Sequence, residues 1–232
     1  MKIVNFIGGF DKLDLILYVS KILTMLGNKV LVVDATLVQK SRYIVPNINP
    51  AKAYLTRFED IDIAVGFNSF QDIQVYMNSV EGKITEYDYL LTDIERVDTF
   101  ANFYNQATIK NYFVTSFETY SIRRGLATIA RVPQPIPIKR ILFASNPTKQ
   151  DGDYLEYLSY GYKVAWEEEV INFPYETQNL QAMIEWEKNQ KIGIRNLTPQ
   201  YKSMLEYLIY DIMPEVNSGN LRKVMKTIER EG

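Results

Sequence analysis

The stretch Ile7-Gly8-Gly9-Phe10-Asp11-Lys12-Leu13 decides how this chain reads. An apolar run, Ile3-Val4-Asn5-Phe6-Ile7, precedes it, and an amphipathic run from Leu13 to Leu26 follows. Strand, glycine-bearing turn and helix in that order are the setting of a phosphate-binding loop, whose backbone N–H groups wrap an anion at the start of the helix. Such a loop needs glycines for the close turn, a lysine to reach the phosphates, and a Ser or Thr hydroxyl to hold magnesium. Lys12 stands at the lysine position, but Leu13 stands at the hydroxyl position and Asp11 where a glycine is required. At a helix start the amides are unpaired and the dipole is positive, so the Asp11 carboxylate is expected to cap the helix and occupy donors that a phosphate would use.

Outward from this loop, short apolar runs alternate with longer amphipathic ones, the pattern of βα units around a parallel sheet. The expected strands are 2–7, 29–34, 60–66, 87–94, 111–116, 138–145 and 164–173. The expected helices are 11–26, 69–80, 97–105, 118–131, 151–158, 177–189 and 199–212. Val30-Leu31-Val32-Val33 and Tyr89-Leu90-Leu91 are apolar on both faces, as central parallel strands are. Residues 41–57 read as a loop with a short helix, and the run Val132-Pro133-Gln134-Pro135-Ile136-Pro137 as a stiff helix-to-strand connection. The fold expected is α/β: a single doubly wound, mainly parallel sheet with helices on both faces. It occupies residues 1–214, and residues 215–232 form a basic amphipathic tail.

Composition narrows the chemistry. The 232 residues include no cysteine and no histidine, which removes disulfides, thiolate sites, histidine general bases and the usual catalytic triads. A net charge of −2 gives no overall pull toward nucleic acid or anionic lipid, so DNA is not an expected partner. No apolar run approaches the roughly 20 residues of a membrane span, and Met1-Lys2-Ile3 leads straight into a strand without a signal-peptide pattern; the expectation is a cytoplasmic protein. Arg123-Arg124 and Lys139-Arg140 read as solvated surface. Glu167-Glu168-Glu169 reads as the solvated edge of a strand, with no complementary group in the nearby sequence.

The motifs together resemble the ParA/MinD group of deviant-Walker P-loop ATPases over nearly the whole length. The group carries K-G-G-x-G-K-[ST] after its first strand, matched by Ile7 to Leu13. A following strand ends in a D-x-D-like element, matched by Val33-Asp34-Ala35-Thr36. The Walker B strand typically reads Y-D-Y-x-x-x-D, matched by Tyr87-Asp88-Tyr89-Leu90-Leu91-Thr92-Asp93. Asn146 matches an asparagine near the base, and Asn172-Phe173-Pro174-Tyr175-Glu176 an I-P-Y-D/E-like turn. The resemblance implies a nucleotide site of Gly8, Gly9, Phe10, Asp11, Lys12, Leu13, Asn146 and Pro174, with Asp34 and Asp93 as remnants of a magnesium site. Read on their own, Lys12 is equally a surface lysine near a helix start, and Asp34 and Asp93 are equally caps or hydrogen-bonding groups.

The departures from the family pattern shape the functional expectation. The signature lysine that crosses a dimer interface is Ile7 here, the magnesium hydroxyl is Leu13, and the second switch acid is Thr36. Loss of one transition-state cation costs about 10³–10⁵ in rate in this chemistry. The resemblance then implies a non-hydrolysing scaffold or positioning factor in a bacterial process. It would bind ATP or ADP with magnesium weakly or not at all, and recruit protein partners as a homodimer or as a heterodimer with an active paralogue, with Ile7 available to a constitutive interface. The alternative is a slow ATP-dependent switch, free or at a membrane surface, whose missing groups come from a partner or from Lys21, Lys40 or Arg42. In the tail, Leu221, Val224, Met225 and Ile228 fall at i, i+3, i+4 and i+7 among basic residues. This face, within residues 219–230, suits a partner, the domain itself or a membrane.

Overall fold

The computed structural model describes residues 1–46, 52–105, 107–130, 135–162 and 164–231; Val132, Pro133 and Gln134 of the proline run and Arg131 of the expected helix lie outside them. The first strand, β1 (Lys2–Ile7), sends Val4 and Phe6 to one face of a sheet and Ile3 and Ile7 to the other, as period-two alternation requires. Helix α1 (Leu13–Met25) then leads to β2 (Val30–Asp34), buried along its whole length. The short α2 (Ser41–Ile44) precedes a hairpin of β3 (Tyr54–Phe58) and β4 (Ile61–Val65). The chain continues through α3 (Phe70–Ser79), β5 (Tyr89–Ile94), α4 (Val97–Phe103), β6 (Thr108–Ser116), α5 (Thr119–Ile129) and β7 (Pro137–Ala144). After these come α6 (Lys149–Ser159), β8 (Ala165–Pro174), α7 (Thr177–Asn189), α8 (Pro199–Ile212) and α9 (Ser218–Glu231).

The strand order is β3-β4-β2-β5-β1-β6-β7-β8, parallel throughout except for β3 against β4. One face carries α1, α7, α8 and α9 over Val4, Phe6, Val32 and Leu91. The other carries α3, α4, α5 and α6 over Ile3, Ile7, Leu31 and Leu90. The α1 crossover leaves β1 toward β2 on the first face, whereas the α4 crossover leaves β5 toward β6 on the second. The C-terminal ends of the adjacent strands β1 and β5 therefore form a topological switch point, where open α/β sheets place ligands.

Four sequence expectations change. Residues 41–57 contain a strand as well as a short helix: β3 pairs antiparallel with β4. Ile7 is fully buried between strands in the second core and is unavailable to an interface. Lys139 is buried rather than solvated: its ammonium lies 2.7 Å from Asp211 and 3.0 Å from Glu169, and reaches Glu167 at 3.6 Å. The glutamate run therefore does have a complementary group, one strand away on β7. The apolar face of the tail is present, but Leu221, Met225 and Ile228 are buried in the same core as α1 and α8.

Candidate functional site

The loop between β1 and α1 sits at the switch point, and its glycines are dictated by space. Gly8 has φ +150°, and a Cβ there would lie 2.1 Å from the Val114 carbonyl oxygen on β6. A Cβ on Gly9 would meet the stem of Arg124, a residue of α5 that the sequence reading had left to solvent. Phe10 turns toward the first core face, where its ring stacks on Phe143 at 4.8 Å and meets the edge of Tyr175 at 5.8 Å.

Lys12 is buried, with 2 % exposure, and does not extend into open space. Its Nζ donates to the Gly8 carbonyl at 2.8 Å and lies 2.6 Å from Asp93 Oδ1 at the end of β5. The contact with Asp93 is a close ion pair rather than an aligned hydrogen bond, since Oδ1 has no hydrogen-bonding partner of good angle. Burial pushes the Asp93 carboxyl up to about 7, against the pull of Lys12 and with a further push from Asp34.

Asp34 ends β2 in a tight local turn. Its Oδ1 accepts from the Thr36 N–H at 3.2 Å and hydroxyl at 2.7 Å. Its Oδ2 accepts from the Ser41 N–H at 3.0 Å and hydroxyl at 2.5 Å. Thr36, at the position of the second switch acid, thus ties Asp34 down, and its own oxygen accepts from the Gln39 N–H. Asp11 lies just before Lys12, the residue that caps α1, and accepts the Leu13 N–H at 3.3 Å through Oδ1. Its Oδ2 lies 3.0 Å from Lys40. Leu13 is buried among apolar neighbours.

A magnesium–nucleotide would meet a lysine already paired, an Asp34 with both oxygens engaged, one loop amide taken by Asp11, and no hydroxyl at Leu13. These residues do not fit that group as they stand. Among the described residues no three acidic side chains gather into a metal site. The base-side residues are separate. Asn146 is exposed in the turn after β7, beside a shallow hollow of about 360 Å³ shared with Phe117 and Tyr175. Pro174 ends β8 and lines a different, more enclosed cavity of about 380 Å³. Phe143 and Tyr175 border both.

The cations named for the alternative reading are engaged elsewhere. Lys21 pairs with Glu59, Lys40 with three carboxylates, and Arg42 with Gln39 and the Lys52 carbonyl. Arg124, packed on Gly9, is the basic residue next to the loop that sequence reasoning missed. Its only signal is the i+1 position beside Arg123 on a helix whose loop-facing side the sequence does not reveal.

No family model matches this chain, and no curated protein matches it in sequence. Solved structures do. The MinC:MinD cell division complex of Aquifex aeolicus superposes with a TM-score of 0.57 at 16% identity, over 94% of this chain and 97% of that one. An ATP complex of Cyanothece McdA gives 0.58 at 13% identity over 94% and 98%. A plasmid partition protein of Borrelia burgdorferi gives 0.52 at 13% identity over 90% and 97%. Likeness at such low identity over nearly the full length of both chains is likeness of fold: the eight-stranded sheet with its flanking helices is the ParA/MinD P-loop fold.

Proposed function

We propose that this chain is a ParA/MinD-like positioning or scaffold protein that works without turning over nucleotide, in the cytoplasm, by recruiting a protein partner. The observation that carries the reading is the closed Lys12–Asp93 pair at 2.6 Å. The residue that should reach for phosphate is neutralised by the residue that should hold the metal, and both are buried. Asp34, tied by Thr36 and Ser41, and the apolar Leu13 support it. Ordered contacts with a partner, or with an active paralogue in a mixed dimer, then replace the nucleotide cycle as the source of specificity.

Calorimetric titration with Mg-ATP and Mg-ADP, run beside phosphate release and with Lys12→Ala as control, tests this. The expected result is background phosphate release and no Lys12-dependent binding tighter than about 100 µM. Magnesium-dependent release above the Lys12→Ala control would overturn it. One observation favours a second reading, slow ATP turnover: Arg124 lies against Gly9, where a cation from this chain could serve a phosphate. That reading predicts release abolished by Arg124→Ala.

A further inference from the structure

The cavity of about 380 Å³ between the start of α1 and α7 carries chemistry that the phosphate-loop description does not use. Its walls are apolar: Phe10, Phe143, Leu180, Met183 and Ile184. Its charged groups are four carboxylates, Asp11, Asp14, Glu176 and Glu187, against the single ammonium of Lys40. Lys40 has three N–H donors, and three carboxylates lie on it: Asp11 at 3.0 Å, Asp14 at 2.8 Å and Glu187 at 2.8 Å. Nothing cationic is left over for an anionic ligand. A polyphosphate entering here would face net negative charge, the reverse of what a helix N-terminus normally offers.

Two further atoms point to what the cavity does accept. Asp14 is buried, and its Oδ1 has no hydrogen-bonding partner although Oδ2 is held by Lys40. Tyr201, also lining the cavity and with no exposure, has an unpartnered hydroxyl. A buried acceptor without a donor is costly to fold, and a donor brought by a ligand removes that cost. Burial holds the Asp14 carboxyl above its ordinary range despite Lys40, which is the state of a carboxylate short of positive neighbours. The stacked rings of Phe10 and Phe143 and the half-exposed Tyr175 offer aromatic surface on which a cation is also favoured. A bare divalent ion lacks a ligand set among the described residues. The volume lies in the range of pockets that hold drug-sized molecules.

We propose that this cavity binds a small amphipathic cation, an ammonium on an apolar or aromatic body, with the charged nitrogen at Asp14 and Tyr201 and the body between Phe10, Leu180 and Met183. This rests on the reading that nucleotide is not the resident ligand of the cleft.

The test is calorimetric titration of the full chain with tryptamine and with tryptophol, its uncharged alcohol counterpart, with Mg-ATP in a parallel arm. Tryptamine is expected to bind about tenfold or more tighter than tryptophol, a preference that Asp14→Asn removes. Met183→Trp, which fills the cavity, is expected to abolish binding of both, with melting temperature reported for each variant. Equal binding of the two probes, or no binding of tryptamine at millimolar concentration, overturns the proposal. If Mg-ATP is also silent in that case, the scaffold reading stands alone. If Mg-ATP binds in a Lys12-dependent way and displaces tryptamine, both readings fall.

Discussion

Lys12 and Asp93 show how a buried pair sets local behaviour with pH. The Asp93 carboxyl is raised in the folded chain to about 7, chiefly by burial, whereas in the unfolded chain it titrates near an ordinary aspartate, about 4. Between these values the folded state holds a proton that the unfolded state has lost, so this group's contribution to stability declines as pH rises from about 4 to about 7. Asp93→Asn has no such titration. Melting curves at about pH 5 and about pH 8 should therefore show the variant gaining on the parent as pH rises, by on the order of 2–3 kcal/mol. A gap that widens instead would mean that Lys12 outweighs burial. Asp11 gives a second prediction at the same scale. Its carboxylate holds one loop amide and one proton of Lys40, so Asp11→Gly frees both. The variant should bind inorganic phosphate or ADP about fivefold to tenfold tighter in a calorimetric titration, the scale of one capping interaction of roughly 1 kcal/mol. An unchanged affinity would discard the idea that Asp11 plugs the loop.

At the scale of elements, most of the sheet was legible because its central strands are apolar on both faces and its helices have a clear 3.6-residue period. The pair β3–β4 was not. Its turn residues, Glu59 and Asp60, both have positive φ, 49° and 66°, a conformation usually flagged in sequence by Asn-Gly or Asp-Gly. Glu59 is kept there by contacts the sequence cannot display: it pairs with Lys21 at 3.2 Å and accepts the Ile192 N–H at 3.0 Å. Asp60 has only an exposed contact with Arg57. Asp60→Gly should therefore relieve the left-handed backbone and raise stability by about 1 kcal/mol, read from urea denaturation, whereas Glu59→Gly should lose those contacts and gain nothing. The same limit applies to the candidate site. Its loop was legible by spacing, but the pairing of Lys12 with Asp93, of Asp34 with Ser41, and of Lys139 with Asp211 joins residues from different elements. Each side chain, read in its own segment, looks like an ordinary cap or a solvated charge.

For the whole molecule, the question is whether the tail is an appendage or part of the fold. Leu221, Met225 and Ile228 sit in one core with α1 and α8, Lys202 of α8 pairs with Glu229, and Lys191 donates to the Glu231 carbonyl. The hydrophobic face that a membrane or a partner would need is therefore already covered. Burial of three such side chains is worth roughly 5–9 kcal/mol, comparable to the entire margin of about 5–15 kcal/mol by which a domain is stable. A chain ending at Pro214 should consequently melt at least about 10 °C below the full chain, or fail to fold. The full chain should remain with the soluble fraction when floated with anionic liposomes, because α9 cannot offer the same residues to the core and to lipid at once. Flotation of the full chain together with an unchanged melting temperature for the truncated one would show that α9 detaches at little cost, and that the tail, rather than the sheet, carries the attachment.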